Sequence, residues 1–181
     1  MIQINGNRVY LKKLVENATA EFFELHLNDE VMTRFMLYVP YPYTREDGVR
    51  FMKFLEKTDK EHSTLEMAVF EKATGKMIGV ASFAHLDFEH CHGEIGYWIS
   101  RAYQGQGIAS EAVKLLLTYG FETLNLERIY AHVDIENAAS IRVLEKCGFT
   151  REGVLRKAAK HRGHFIDRCV YALIRSERDR A

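Results

Sequence analysis

The residues best arranged for chemistry are Gln104-Gly105-Gln106-Gly107-Ile108-Ala109-Ser110, two glycines and small side chains between a strand-like run and a long helical one. A helix that begins near Gly107 presents unpaired N–H groups and a partial positive charge at its first turn. Small residues let a ligand come close to the backbone there, and the combination makes a site for a pyrophosphate. It is not the phosphate loop of nucleoside triphosphatases, because no Gly-Lys-Ser/Thr follows. It is not the dinucleotide fingerprint either, since the third glycine and the downstream acidic partner are missing. His85, His90, Cys91 and His92 cluster around one turn. No second cluster of matching spacing exists, so no metal site is expected. Cys147 falls on the apolar face of a helix and reads as core rather than nucleophile.

The elements that must hold these residues follow from periodicity. Arg8 to Leu14 reads as a strand, and Asn17 to Asn28 as a helix with Ala20, Phe23 and Leu27 on one side. Thr44, with Asp47 three residues on and Val49, Phe51, Met52 and Leu55 beyond, marks the start of a second helix. Glu66–Glu71 and Met77–Phe83 flank a hairpin loop. A turn at His90–Gly93 leads into a strand from Glu94 to Ser100. The clearest helix runs from Gly107 to Leu124, with Ile108, Ala112, Leu116 and Tyr119 on one face. Arg128–Asp134 reads as a strand, Ala138–Cys147 as a short helix closed by Gly148, and the tail as two strands, Gly153–Lys160 and His164–Ile174. The order β-α-α-β-β-β-α-β-α-β-β predicts an α/β (α+β) fold, a mixed sheet with helices on both faces.

The bulk properties set limits on function. A chain of 181 residues fits one domain, taken here as 1–181, and 47% hydrophobic with 28% charged residues is ordinary for a globular protein. Lysine plus arginine equals aspartate plus glutamate at 25 each. This balance argues against nucleic acid or a membrane surface as the main partner. The densest basic cluster, Arg156, Lys157, Lys160, His161, Arg162 and His164, reads as a solvated strand edge and turn. The N-terminus lacks the apolar run of a signal peptide, no stretch is long enough for a membrane span, and the three scattered cysteines read as reduced thiols, which together predict a cytoplasmic protein.

The segment Gln104-Gly105-Gln106-Gly107-Ile108-Ala109 resembles the pyrophosphate loop of the GNAT superfamily of N-acetyltransferases, Arg/Gln-x-x-Gly-x-Gly/Ala. Gly93-Glu94-Ile95-Gly96-Tyr97-Trp98-Ile99 is similar to the fourth strand of that fold. Asn137-Ala138-Ala139-Ser140, then Leu144-Glu145-Lys146-Cys147-Gly148-Phe149 and Glu152-Gly153, resemble its second signature. The upstream pattern of a strand, Pro40-x-Pro42 and a helix is similar to the ribosomal-protein N-terminal acetyltransferase branch. The resemblance implies a splayed sheet holding acetyl-CoA as co-substrate, with no metal. It implies backbone pairing of the pantetheine arm at Tyr97, Trp98 and Ile99. It implies pyrophosphate binding by the backbone of Gln104, Gly105, Gln106, Gly107, Ile108, Ala109 and Ser110, and contacts to the arm from Asn137 and Ser140.

For the reaction, an amine attacking a thioester, the resemblance offers Glu94 as base, in the place where histone-type members carry a catalytic glutamate. The tyrosine that many members place four residues before the Gly-Phe glycine is Leu144 here. Ser140 matches the branch's serine and is the candidate acid. The branch's glutamate near the end of the sixth strand is Ala159, which shifts weight to Glu94. Phe35 to Tyr43 reads as one wall of the acceptor site, through Phe35, Tyr38 and Tyr41. The favoured acceptor is a protein N-terminal α-amine. A polyamine acetyltransferase, with a similar Tyr-Gln-Gly-x-Gly-x-Ala loop, and a non-catalytic acetyl-CoA-binding module are the alternatives. Monomer and homodimer both stay open.

Overall fold

The structure is a computed structural model and describes residues 2–180. Its strands form one eight-stranded sheet in the order β1-β2-β3-β4-β5-β6-β8-β7. The strands are β1 (Gln3–Asn5), β2 (Val9–Lys13), β3 (Leu65–Glu71), β4 (Met77–Asp87), β5 (His92–Ile99), β6 (Arg128–Asp134), β7 (Thr150–His161) and β8 (His164–Ile174). All neighbours are antiparallel except β5 and β6, which run parallel. That one parallel contact holds for only three pairs, His92 to Glu94 against Arg128 to Tyr130. Beyond Glu94 the two strands part, and the sheet opens into a V.

Two helix layers cover the sheet. On one face lie α1 (Ala20–Leu27) and α3 (Arg45–Glu61), which close a core of Leu14, Phe23, Leu27, Tyr43, Leu55, Ala68 and Val80. On the other lie α4 (Ile108–Glu122) and α5 (Ala138–Lys146), over the larger core of Leu11, Met67, Phe83, Ile129 and their neighbours. The burial of β6 alternates, with Ile129, Ala131 and Val133 inside and Tyr130 and His132 on the opposite face. This is the period of two that a half-buried strand imposes; in the sequence the strand is marked by its Ile, Tyr and Val content. Gly120 lets α4 sit against the sheet, since a Cβ there would meet Phe83 Cζ at 2.6 Å.

The start of α3 is the capping box expected from Thr44 and Asp47, each side chain accepting from the other residue's backbone N–H. Two short elements extend the expected order. Strand β1 has three residues, too few to show a period, and α2 (Glu30–Thr33) is a single turn capped by Asp29. The expected turn at His90–Gly93 lies earlier, between Asp87 and His92, because Asp87 Oδ1 accepts the His90 N–H at 2.8 Å and ends β4 there. No helix among the described residues is long and apolar enough to cross a membrane. The three cysteines are free, with Cys147 and Cys169 buried.

Candidate active site

A cleft of about 630 Å³ fills the V. Tyr97, Trp98 and Ile99 of β5, Ala131 to Asp134 of β6, the turn into α4 and the first turns of α5 line it. The edge of β5 that faces β6 has no strand partner beyond Glu94, so its polar backbone is free to pair with an extended ligand.

At one end of the cleft the glycine loop is held in shape from behind. Gln104 Nε2 donates to Ile99 O at 2.9 Å, and Arg8 Nη1 donates to Gln106 O at 2.6 Å. Gly105 and Gly107 have φ of 73° and 80°, a conformation that disfavours side-chain-bearing residues. A Cβ at either would meet nothing within 4 Å, so the space above the loop is open. The backbone bond of Glu111 N–H to Gly107 O closes the first turn of α4. The N–H groups of the residues before it then point into the cleft with the helix dipole behind them. Gly105, Gly107, Ile108, Ala109 and Ser110 line the cleft as the sequence suggests. The Gln106 side chain does not, because its Nε2 donates to Ala102 O.

Deeper in the V, two side-chain pairs face the centre. The Tyr97 hydroxyl lies 2.9 Å from Ser140 Oγ and donates to Ser140 O at 3.1 Å. Burial pushes the Tyr97 phenol well above its ordinary value, against the opposing hydrogen bond from Ser140, so it stays protonated. From the other side, His132 Nδ1 sits 2.8 Å from Glu94 Oε1. An ionised carboxylate only accepts, so Nδ1 carries the hydrogen and Nε2 of the neutral ring is left as an acceptor. His132 lines the cleft and Glu94 stands behind it. The sequence reading missed His132. Its only signal was a histidine on the polar side of β6; the resemblance sets that strand beside β5 across the V, but does not say that this side chain meets Glu94.

Asn137 caps α5, its Oδ1 accepting from Ser140 N–H at 3.1 Å, and it also lines the cleft. Cys147 is core as expected, its thiol pushed up to about 11 by burial. On the α1–α3 side the cleft is walled by Val31, Met32, Phe35, Met36 and Leu37. Of the three aromatic residues proposed for this wall, only Phe35 reaches it. Tyr38 is 93% exposed, and Tyr38 and Tyr41 line a separate depression with Arg162, whose guanidinium lies over the Tyr41 ring. Val31 and Met32, from the α2 turn, line the cleft wall with Phe35 instead.

Residues 8–150 match the family described as the acetyltransferase (GNAT) domain. The chain is similar to the uncharacterized N-acetyltransferase p20 of Bacillus licheniformis, at 34% identity over 171 residues and 94% of each chain. It is similar to spermidine N(1)-acetyltransferase of Escherichia coli (strain K12), at 31% identity over 152 residues, covering 83% of this chain and 77% of the other. The microcin C7 self-immunity acetyltransferase, solved with acetyl-CoA and AMP, superimposes with a TM-score of 0.82 at 26% identity over 93% of both chains. The ribosomal-protein-S5-alanine acetyltransferase of Vibrio fischeri shares the fold, with a TM-score of 0.76 at 23% identity over 96% of this chain and 97% of that one.

Proposed function

The chain belongs to the acetyltransferase (GNAT) family, and from that premise we propose that the amine it acetylates is a protein N-terminal α-amine. It is an acetyl-CoA-dependent N-acetyltransferase, and acetyl-CoA supplies the activated thioester. The open space over Gly105 and Gly107, the free N–H groups of α4 and the unpaired edge of β5 fit the diphosphate and the pantetheine arm. Arg142 and Lys146, on α5, add positive charge on the same side.

The residues divide the proton work. His132 Nε2 takes the proton from the ammonium form of the acceptor, and Glu94 holds the ring in the right tautomer and stabilises its charge. An α-amine, with pKa near 8, needs only a modest base at neutral pH. The neutral amine attacks the thioester carbonyl, and collapse of the tetrahedral adduct breaks the C–S bond. The Tyr97 hydroxyl, oriented by Ser140, turns from Ser140 O to protonate the departing thiolate and is restored by the second proton that the adduct nitrogen sheds. Ser140 therefore positions the acid rather than acting as one.

The observation that carries the acceptor assignment is the charge of the cleft. Its lining has one carboxylate, Asp134, against Arg142, Lys146 and Arg168, and its acceptor wall is apolar. A polycation would need several carboxylates, whereas an uncharged peptide chain suits this wall. Relatives act on both kinds of amine by name, spermidine and a ribosomal protein. The test follows thiol release from acetyl-CoA with a panel of N-terminal peptides and with spermidine. Peptides should give the higher kcat/KM, with acetylation mapped to the α-amine. A higher kcat/KM for spermidine would replace this reading with the polyamine one.

A further inference from the structure

Sequence spacing alone gives no metal site, because His90 and His92 share one turn and no second cluster matches them. The fold supplies the missing partner. The β4–β5 turn brings Asp87, the last residue of β4, opposite His92, the first residue of β5. Asp87 Oδ1 accepts the His90 N–H, which fixes the carboxylate beside the imidazoles of His90 and His92, with His90 Nδ1 also 3.2 Å from Oδ1. Asp87 Oδ2 lies 3.1 Å from His90 Nδ1 and 3.7 Å from His92 Nε2. The three donor atoms all lie within 4.8 Å of one another. Two donors about 2.1 Å from one metal ion, at a tetrahedral angle, stand roughly 3.4 Å apart, and the two separations from Oδ2 bracket that value.

We propose that Asp87, His90 and His92 form a binding site for a borderline divalent ion such as Zn²⁺ or Co²⁺, separate from the acetyl-transfer cleft. The donor set of two imidazoles and one carboxylate suits these ions and not Mg²⁺ or Ca²⁺, which take oxygen ligands. His92 Nδ1 is buried without a hydrogen-bond partner, so Nε2 is the ring nitrogen that meets a ligand. Three protein donors leave at least one position for water. The His85 ring, centred 6.4 Å from that of His92, stands outside the set. Cys91 also stands outside, its thiol turned to Phe88 O.

The test is a titration of the full chain, stripped with chelator, with Co²⁺ followed by visible absorption and with Zn²⁺ followed by calorimetry. One saturable equivalent is expected, with Mg²⁺ silent. His90→Ala and His92→Ala should each weaken binding at least about tenfold, the scale on which even supporting residues of metal sites act. Cys91→Ser and His164→Ala should leave it unchanged. His90 is exposed, so its variant should match the parent's melting temperature in chelator, which separates lost ligation from lost folding. Absence of saturable binding would overturn the site. So would binding that survives both histidine substitutions, or binding that Cys91→Ser abolishes.

Discussion

At the scale of single residues the site rests on two pairs, Glu94–His132 and Tyr97–Ser140, on opposite sides of the V. If Glu94 and His132 work as one unit, Glu94→Gln should lower turnover about 10²-fold with acetyl-CoA affinity nearly unchanged. His132→Gln should cost at least as much, and the double variant little more than the worse single one. Steady-state kinetics with separate KM values for both substrates check this, and full additivity of the two losses would mean that they act independently. The resembled motifs pointed to Glu94 and Ser140. They did not say which side chains these two meet. The Tyr97 phenol looked like a bystander to backbone pairing because a strand residue's sequence position does not say what its side chain meets across a cleft. Leu144, where an acid tyrosine was sought, is fully buried in the core. In the proposed mechanism Tyr97 of β5 supplies the acid instead.

At the scale of elements the decisive one is the turn into α4. Glu111 Oε1 accepts the N–H of Arg8 at 2.8 Å and of Val9 at 3.3 Å, and Arg8 returns to Gln106 O. The start of β2 therefore braces the loop from a hundred residues away. Gly107→Val would force a β-branched residue into φ of 80° and fill the open space above the loop. Acetyl-CoA affinity should fall at least tenfold, about 1.4 kcal/mol, by calorimetry on a variant shown to be folded. Unchanged affinity would remove the loop from the phosphate site. This element was legible because glycine spacing, small residues and helical period all act locally. The wall proposed for the acceptor was legible only in part. Pro40 and Pro42 announced an irregular segment, yet an irregular segment has no period to say which of its rings turn inward, and the one-turn α2 that lines the same wall leaves none to read either. The β4–β5 turn shifted for a similar reason, since one aspartate side chain outranked the glycine that marked the expected corner.

At the scale of the whole molecule the sheet is continuous through backbone pairs at every junction, but the β5–β6 junction, between two longer central strands, has only three, as few as the short edge pair β1–β2. The larger core runs under both halves, from Leu11 of β2 to Tyr171 of β8, while the opening leaves unpaired strand edges and a cleft in the middle of the sheet. A ligand that pairs with β5 and is held by α4 and α5 closes that gap and binds only the native arrangement. It should therefore stabilise the protein by mass action. At about 100 times its Kd the gain is about 2.7 kcal/mol. For a chain of this size each kcal/mol raises the melting temperature by roughly 2–4 °C. Acetyl-CoA should thus raise the thermal midpoint by about 5–10 °C, increasing with concentration. Hydrogen exchange should slow in β5 beyond Glu94 and in the first turn of α4, while β1–β3 change least. Protection confined to the glycine loop would mean that the ligand is held by its phosphates alone and does not bridge the opening.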